Sequence, residues 1–424
     1  MTGRATNKQG CLGCAAVFAL FVGVLVAFVL LVAPSTIGLT LRAYAEHAFK
    51  SMGETLGVRE EGDEATDASP EETSVSLGAP VSLGSTRVEE YLRSKLDEGS
   101  REVYDQLIAG VRALEESIAV IHATPEDVSA AYKAMMGDHP DFFWLDGSFT
   151  YLYSSLLQSV TVQPGFAVEP SEVEATRVAI ESEADTILAG LPEDATEYDV
   201  ALLAYEHIAS HTDYVVGAPH NQTIQSVLIG HASVCAGYAR TYQYLLHRAG
   251  VFCSYVEGSI ASKGEDHAWN LVRIDGQYAY VDPTWADPTY LGEDAGVSVG
   301  GVIYDYLGLT TDELLRDDHA FANADLWPDC DSTDLDYYRR AGLFIEDYDE
   351  QAVDEAFWRQ ASNGGNRAVF KFGTDEAFGE ALAALDDGTF ERESLLELAS
   401  EMGETSIRYS YATSDTLRIV KLYW

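Results

Sequence analysis

The chain has 424 residues and a formal net charge of -43, with 26 Lys and Arg against 69 Asp and Glu. That length gives room for two or three domains and a sizeable core, and so acidic a surface excludes a general nucleic-acid binder. Five cysteines are too few for a disulfide scaffold.

Residues 1–10 form a short polar tail with Arg4 and Lys8. Residues 11–33 are apolar and carry no charge. About 23 such residues span a ~30 Å hydrocarbon core as a helix. A cleaved signal peptide has an apolar region of only about 7–15 residues, so a retained transmembrane signal-anchor is expected. Arg42 and Lys50 beyond the run match Arg4 and Lys8 before it, so basic residues leave the orientation open. Cys11 and Cys14 precede the apolar run. A lipoprotein cysteine follows one, and an isolated C-x-x-C is a poor metal site. Residues 34–86 are polar and acidic and read as a flexible linker.

Residues 87–170 read as a mainly helical region. Leu92, Leu96, Val103, Tyr104, Leu107, Val111, Leu114 and Ile118 keep helical spacing, with a break near Gly99. Thr124-Pro125 opens a second helix. Phe142-Phe143-Trp144-Leu145, Asp146-Gly147 and residues 148–153 read as a hairpin whose aromatics belong to the core. Helices follow over 172–191 and 198–212. His207 and His211 share a face of the second, but Ile208 stands where a zinc-protease helix has Glu, so no metal is expected there.

Three motifs then come in fixed order. They are Val234-Cys235-Ala236-Gly237-Tyr238-Ala239, His267-Ala268-Trp269-Asn270 and Val281-Asp282-Pro283-Thr284-Trp285. Tyr238, Ala239, Tyr242, Leu245 and Leu246 predict an amphipathic helix closed by Gly250, with Ser233 as its N-cap. Cys235 then lies in the first turn, where the helix dipole favours a thiolate and N–H groups can bind an oxyanion. Residues 268–274 and 277–281 are strand-like around the turn pair Asp275-Gly276. In that register Trp269 faces Asp282 and His267 faces Thr284, so His267 and Asp282 are diagonal neighbours on one face, Cβ atoms roughly 7 Å apart. A thiol, an imidazole and a carboxylate are the parts of a Cys-His-Asp acyl-transfer site. Trp269 and Trp285 are expected to pack around it and Asn270 to support it from the other face. Gln222 and Gln225 are candidates for the oxyanion position.

Cys253 falls in a predicted core strand and reads as a buried apolar residue, with pairing to Cys330 left open. A Gly-rich loop runs to Gly301. Residues 337–343 read as a short helix. Residues 331–424 form a C-terminal unit, with a strand at 369–372, helices at 375–385 and 391–402, and a hairpin of 406–411 with 416–423. It carries no catalytic constellation.

The three motifs resemble the transglutaminase-like superfamily of papain-type cysteine enzymes, in particular its bacterial secreted branch. The resemblance spans residues 171–306. An Asp-His-Pro-x-x-Phe-Trp stretch like Asp138 to Trp144 often precedes the core in secreted bacterial members. The resemblance implies an α+β chain with a papain-like core over 171–330, a nucleophile helix packed on an antiparallel sheet. It implies that Cys235 is the nucleophile, His267 the general base and acid, and Asp282 the orienting carboxylate. Animal cross-linking transglutaminases resemble Gly-Gln-Cys-Trp around the nucleophile, where this chain has Ser-Val-Cys-Ala, and their calcium sites have no match here. The expected function is an extracytoplasmic cysteine hydrolase or acyltransferase acting on peptide or isopeptide amides, without cofactor or metal. With the short N-terminal tail, the resemblance places the catalytic part outside a single-pass cell-membrane anchor. The expected partners are a peptide or protein substrate, including cell-wall peptide, and no nucleic acid. The alternative is a non-catalytic scaffold that holds a peptide or cell-wall component in the same cleft.

Overall fold

The computed structural model describes residues 89–287, 301–362 and 365–424. The apolar run at 11–33, the linker at 34–86, Cys11, Cys14 and most of the Gly-rich loop lie outside the described residues. Among the described residues no helix is long and apolar enough to cross a membrane.

Helices α1 (Tyr91–Ser94) and α2 (Glu98–Arg112) open this part. The break between them falls beside Gly99, because Asp97 caps α2 by accepting from the Ser100 N–H. Tyr104, Leu107 and Val111 are buried on the inner face of α2. Leu114 takes a φ of 56°, which ends the helical run. Ile118, expected on that helix, therefore starts strand β1 (Ile118–Ile121) instead. Helix α3 (Pro125–Asp138) starts at a capping box between Thr124 and Asp127.

The hairpin turn expected at Asp146-Gly147 does not form there. Strand β2 (Leu145–Ser154) runs straight through that pair and returns as β3 (Ser159–Phe166). Asp146 Oδ1 accepts from the Ser148 N–H, and Gly147 has a φ of 81°. The register shifts between Leu145 and Phe149, so the two residues build a bulge rather than a turn. The three strands form a sheet in the order β1-β3-β2, and Phe142, Phe143 and Trp144 are buried.

Helices α4 (Val173–Leu188) and α5 (Glu197–His211) lead into the central layer. There β4 (Asp213–Tyr214), α6 (Ile224–Leu228) and β5 (Ala232–Ser233) precede α7 (Cys235–Arg248). Then come β6 (Phe252–Ile260), β7 (Glu265–Ile274), β8 (Gln277–Val281), β9 (Leu307–Leu309), α8 (Thr311–Arg316) and β10 (His319–Phe321). The central sheet has the order β10-β6-β7-β8-β9, antiparallel throughout.

The C-terminal part comprises α9 (Tyr337–Arg340), β11 (Phe344–Ile345), α10 (Glu350–Ala361), β12 (Arg367–Phe372), α11 (Asp375–Asp387), α12 (Arg392–Glu401), β13 (Ser410–Ser414) and β14 (Ile419–Tyr423). Its sheet has the order β11-β12-β14-β13. The final hairpin pairs Ser410 with Tyr423 and Ser414 with Ile419, so its first strand starts later than the expected 406.

Strand β7 is buried on both faces, which explains its apolar run. Val272 and Ile274 join a core shared with α2, α3, α5 and α7. Trp269 and Leu271, on the alternate face, join a second core shared with the C-terminal sheet. Cys253 and Cys330 fall in different cores and are both free thiols, so they do not pair.

Candidate active site

Cys235 is the first helical residue of α7. The N-cap is Val234, which has no side chain to cap the helix, rather than Ser233. The backbone of Ser233 is committed to β5, opposite Tyr214. Its hydroxyl donates to the Asn221 carbonyl and stands 2.6 Å from the Ser226 hydroxyl. The first-turn N–H groups at Cys235 thus have no side-chain cap, and they form the positive end of the helix dipole. Gly237 explains the Cys-Ala-Gly spelling. A Cβ there would stand 1.9 Å from Ser233 Oγ and 2.9 Å from Ser226 Oγ.

The β7–β8 turn has the left-handed φ pair expected of Asp-Gly, 51° at Asp275 and 81° at Gly276. Ile274 pairs with Gln277 and Asn270 with Val281. Asp282 follows directly, its N–H donating to the Tyr306 carbonyl at 3.0 Å. Asp282 Oδ1 accepts from the N–H of Thr284 at 2.9 Å and of Trp285 at 3.4 Å. Its Oδ2 lies 2.6 Å from His267 Nε2. With Nε2 committed there, Nδ1 is the ring nitrogen left for Cys235, whose thiol lies near enough to raise the imidazole pKa. The structure therefore brings Cys235, His267 and Asp282 together.

Electrostatics reinforce this geometry. His267 is 5% exposed and Asp282 is fully buried. Burial disfavours the His267 imidazolium, but the Asp282 charge and hydrogen bonds to Asp282 and Cys235 outweigh it and raise the pKa to about 10. Burial likewise works against the Asp282 carboxylate, yet His267 and His319 hold it well below the usual carboxylate range. Both groups are thus held in their charged forms at neutral pH.

Trp269 and Trp285 wall the imidazole, with ring centroids 6.0 Å and 5.8 Å from that of His267. Asn270, on the α7 side of β7, donates from Nδ2 to the Ala239 carbonyl at 3.0 Å and ties the nucleophile helix to the strand. Gln222 is exposed and reaches Asn221, 3.5 Å away. Gln225 stands on α6 with its Oε1 buried and unpartnered. His207 and His211 stack with centroids 4.3 Å apart.

One residue escaped the sequence reading. His319 on β10 directs Nε2 to Asp282 Oδ2 at 3.1 Å. His267, Asp282 and His319 bring three possible ligand atoms within 4.8 Å of one another. Ligands about 2.0–2.1 Å from a tetrahedral zinc stand roughly 3.3 Å apart. The 2.6 Å contact of His267 with Asp282 is that of a charge-assisted hydrogen bond. His267 and Asp282 thus stand closer than two ligands of one zinc ion would.

Residues 186–283 match the transglutaminase-like superfamily. The human kyphoscoliosis peptidase is 27% identical over 133 residues, covering 28% of this chain and 20% of that protein, and its mouse counterpart is 26% identical over 133 residues. The chain thus spans about a fifth of the length of the curated relatives it matches. The crystal structure of a TGase is 15% identical, covers 32% of this chain and 44% of its own, and has a TM-score of 0.24. The periplasmic domain of TgpA from Pseudomonas aeruginosa is 17% identical, covers 30% of this chain and 54% of its own, and has a TM-score of 0.20. Residues 186–283 are a transglutaminase-like core.

Proposed function

We propose that this transglutaminase-like core is a cysteine hydrolase or acyltransferase acting on peptide or isopeptide amides through Cys235, His267 and Asp282. The observation that carries the reading is the short His267–Asp282 contact, with Cys235 at a helix N-terminus and acting on the same imidazole.

In this reading the Cys235 thiolate attacks the amide carbonyl carbon. The tetrahedral oxyanion is met by N–H groups of the first turn of α7. The C–N bond breaks as His267 gives its Nδ1 proton to the leaving amine, which leaves a thioester on Cys235. Water or a second amine then attacks the thioester. His267 takes the proton of that nucleophile, and the thiolate is restored. Asp282 holds the imidazole in the Nε2–H tautomer throughout and stabilises the imidazolium.

The apolar run at 11–33 and the linker at 34–86 support a place for this core outside the cell membrane, tethered by a single span. Protease added to intact cells then removes the core and leaves an N-terminal stub. Protection until lysis contradicts that topology.

Incubation with a library of cell-surface peptides, acid quench and mass spectrometry test the chemistry. A thioester adduct on Cys235 is expected, and it is absent in Cys235→Ala. Peptides retained without any adduct point instead to a binding scaffold.

A further inference from the structure

Asp282 Oδ2 accepts from two imidazoles, His267 Nε2 at 2.6 Å and His319 Nε2 at 3.1 Å. A carboxylate oxygen has two lone pairs, so both donors can be satisfied at once. His319 is 2% exposed and is fixed from its other side too. Its Nδ1 stands 3.1 Å from the Asp317 carbonyl. Both ring nitrogens therefore face acceptors. The ring is gripped by aromatics, with the centroid of Trp285 at 4.7 Å and that of Trp269, edge-on, at 5.0 Å.

The fold sets this contact through one strand. β6 pairs with β7 on one side and β10 on the other, and Gly258 is opposite both His267 and Phe321. A Cβ on Gly258 would stand 2.2 Å from both Trp269 Cη2 and the Ala320 carbonyl oxygen. The absence of a side chain there lets the two histidine strands close on Asp282. Oδ1 is already held by the N–H groups of Thr284 and Trp285, so His319 is not needed to anchor the carboxylate as a whole. What it adds is a second donor on the oxygen that faces His267.

We propose that His319 is a positioning residue of this site. It donates to the Asp282 oxygen that also accepts from His267, and so fixes that oxygen and shares its charge. The proposal rests on the reading of Cys235 as the nucleophile. Without His319 the Asp282 oxygen loses the donor that fixes it, His267 is less well held, and its imidazolium–thiolate pair with Cys235 is disfavoured. The titratable neighbours that bear on His319 are His267 from β7, Asp282 after β8, and Asp317 and Asp318 just before β10. Asp317 bonds Thr416 of the final hairpin, and Asp318 bonds Ser262.

The test is the rate of Cys235 alkylation by iodoacetamide against pH, in the full chain and in folded His319→Gln and His319→Phe. Phe keeps the ring volume and removes the donor, while Gln keeps a donor. The acidic limb is expected to move to higher pH by about one unit in His319→Phe, the equivalent of one charge-assisted hydrogen bond, and by less in His319→Gln. A His319→Phe profile that overlays the wild type overturns the proposal. A wild-type Cys235 no faster than a free thiol is a different failure, that of the nucleophile reading. Proton NMR of 15N-histidine-labelled protein tests the contact without relying on Phe. Two protected low-field imidazole N–H signals are expected in the wild type, one of them lost in His319→Gln. No loss in that variant overturns the shared oxygen.

Discussion

His267 and Asp282 meet at 2.6 Å although the ladder between their strands ends short of both, at Asn270 with Val281. Beyond that pair β7 continues against β6, while the chain after β8 turns away and its Asp282 N–H goes to Tyr306. The contact is made by side chains reaching across the open end of a hairpin. That end is closed by Trp269, Trp285 and His319.

Asp282→Asn keeps the size of the side chain and removes its charge. The Oδ1 contacts to Thr284 and Trp285 can persist, so the fold should hold. Turnover of any substrate identified should fall by roughly two to four orders of magnitude, because the imidazole loses its tautomer and its counter-charge. Melting temperature and turnover measured on the same sample check this. Normal turnover in a well-folded variant removes Asp282 from the site.

The His267–Asp282 pair also predicts a pH window for stability. The folded pKa of His267 is raised to about 10, so its contribution is complete below the ordinary histidine value of ~6.5 and is lost as pH rises toward 10. The folded pKa of Asp282 is depressed, so its contribution is complete above ~3.9 and is lost as pH falls below that. Both are complete between about pH 4 and 6.5. Denaturant midpoints measured from pH 5 to 10 should fall less steeply in Asp282→Asn than in the wild type. Parallel curves contradict the pair.

Gly258→Ala tests the strand that carries both histidine contacts. The new methyl meets Trp269 and the Ala320 carbonyl at 2.2 Å, and neither is a flexible side-chain end. Overpacking of this kind costs about 1–3 kcal/mol. Because Trp269 underlies His267, Cys235 alkylation should slow as well as stability fall. Unchanged reactivity in this variant contradicts the link from Gly258 to the site.

Lys371 anchors the C-terminal unit. It is fully buried on β12, with Nζ 2.5 Å from Asp336 Oδ2 and 2.8 Å from Glu313 Oε1. Both carboxylates also serve at helix starts, Asp336 capping α9 and Glu313 in the capping box of α8. Lys371→Met leaves two buried carboxylates without their ammonium and should cost about 3–5 kcal/mol. Urea unfolding measures it, and a loss below about 1 kcal/mol contradicts the role, since that is the scale of an exposed pair.

Much of the site was legible because its elements are local. Asp275-Gly276 sets a two-residue turn, and the period of two then carries His267 and Asp282 to a common side. His319 was not legible. It comes 37 positions after Asp282 in a short edge strand, and only the pairing of β10 with β6 brings it back. Asp146-Gly147 shows the limit of the turn signal. The same dipeptide made a bulge because Asp146 bonded Ser148 locally and the strand had a partner further on. Helix α10 falls in residues 344–368, for which the sequence predicts no element, although Asp349 caps it by accepting from the Ala352 N–H. Ser233 read as a cap because it precedes Cys235, but strand pairing with Tyr214 had the prior hold on its backbone.

The central claim is that Cys235 and His267 form a reactive pair, and the most direct test is Cys235 alkylation followed by peptide mapping. Cys253 and Cys330 are 1% and 3% exposed, so burial alone makes them slow and they are poor references. The deciding comparisons are a free thiol and His267→Ala. At about pH 6, where an ordinary thiol with a pKa of ~8.5 is almost wholly protonated, Cys235 should react at least about tenfold faster than the free thiol. His267→Ala should remove that advantage. A Cys235 that reacts at the rate of a free thiol, with or without His267, contradicts the account.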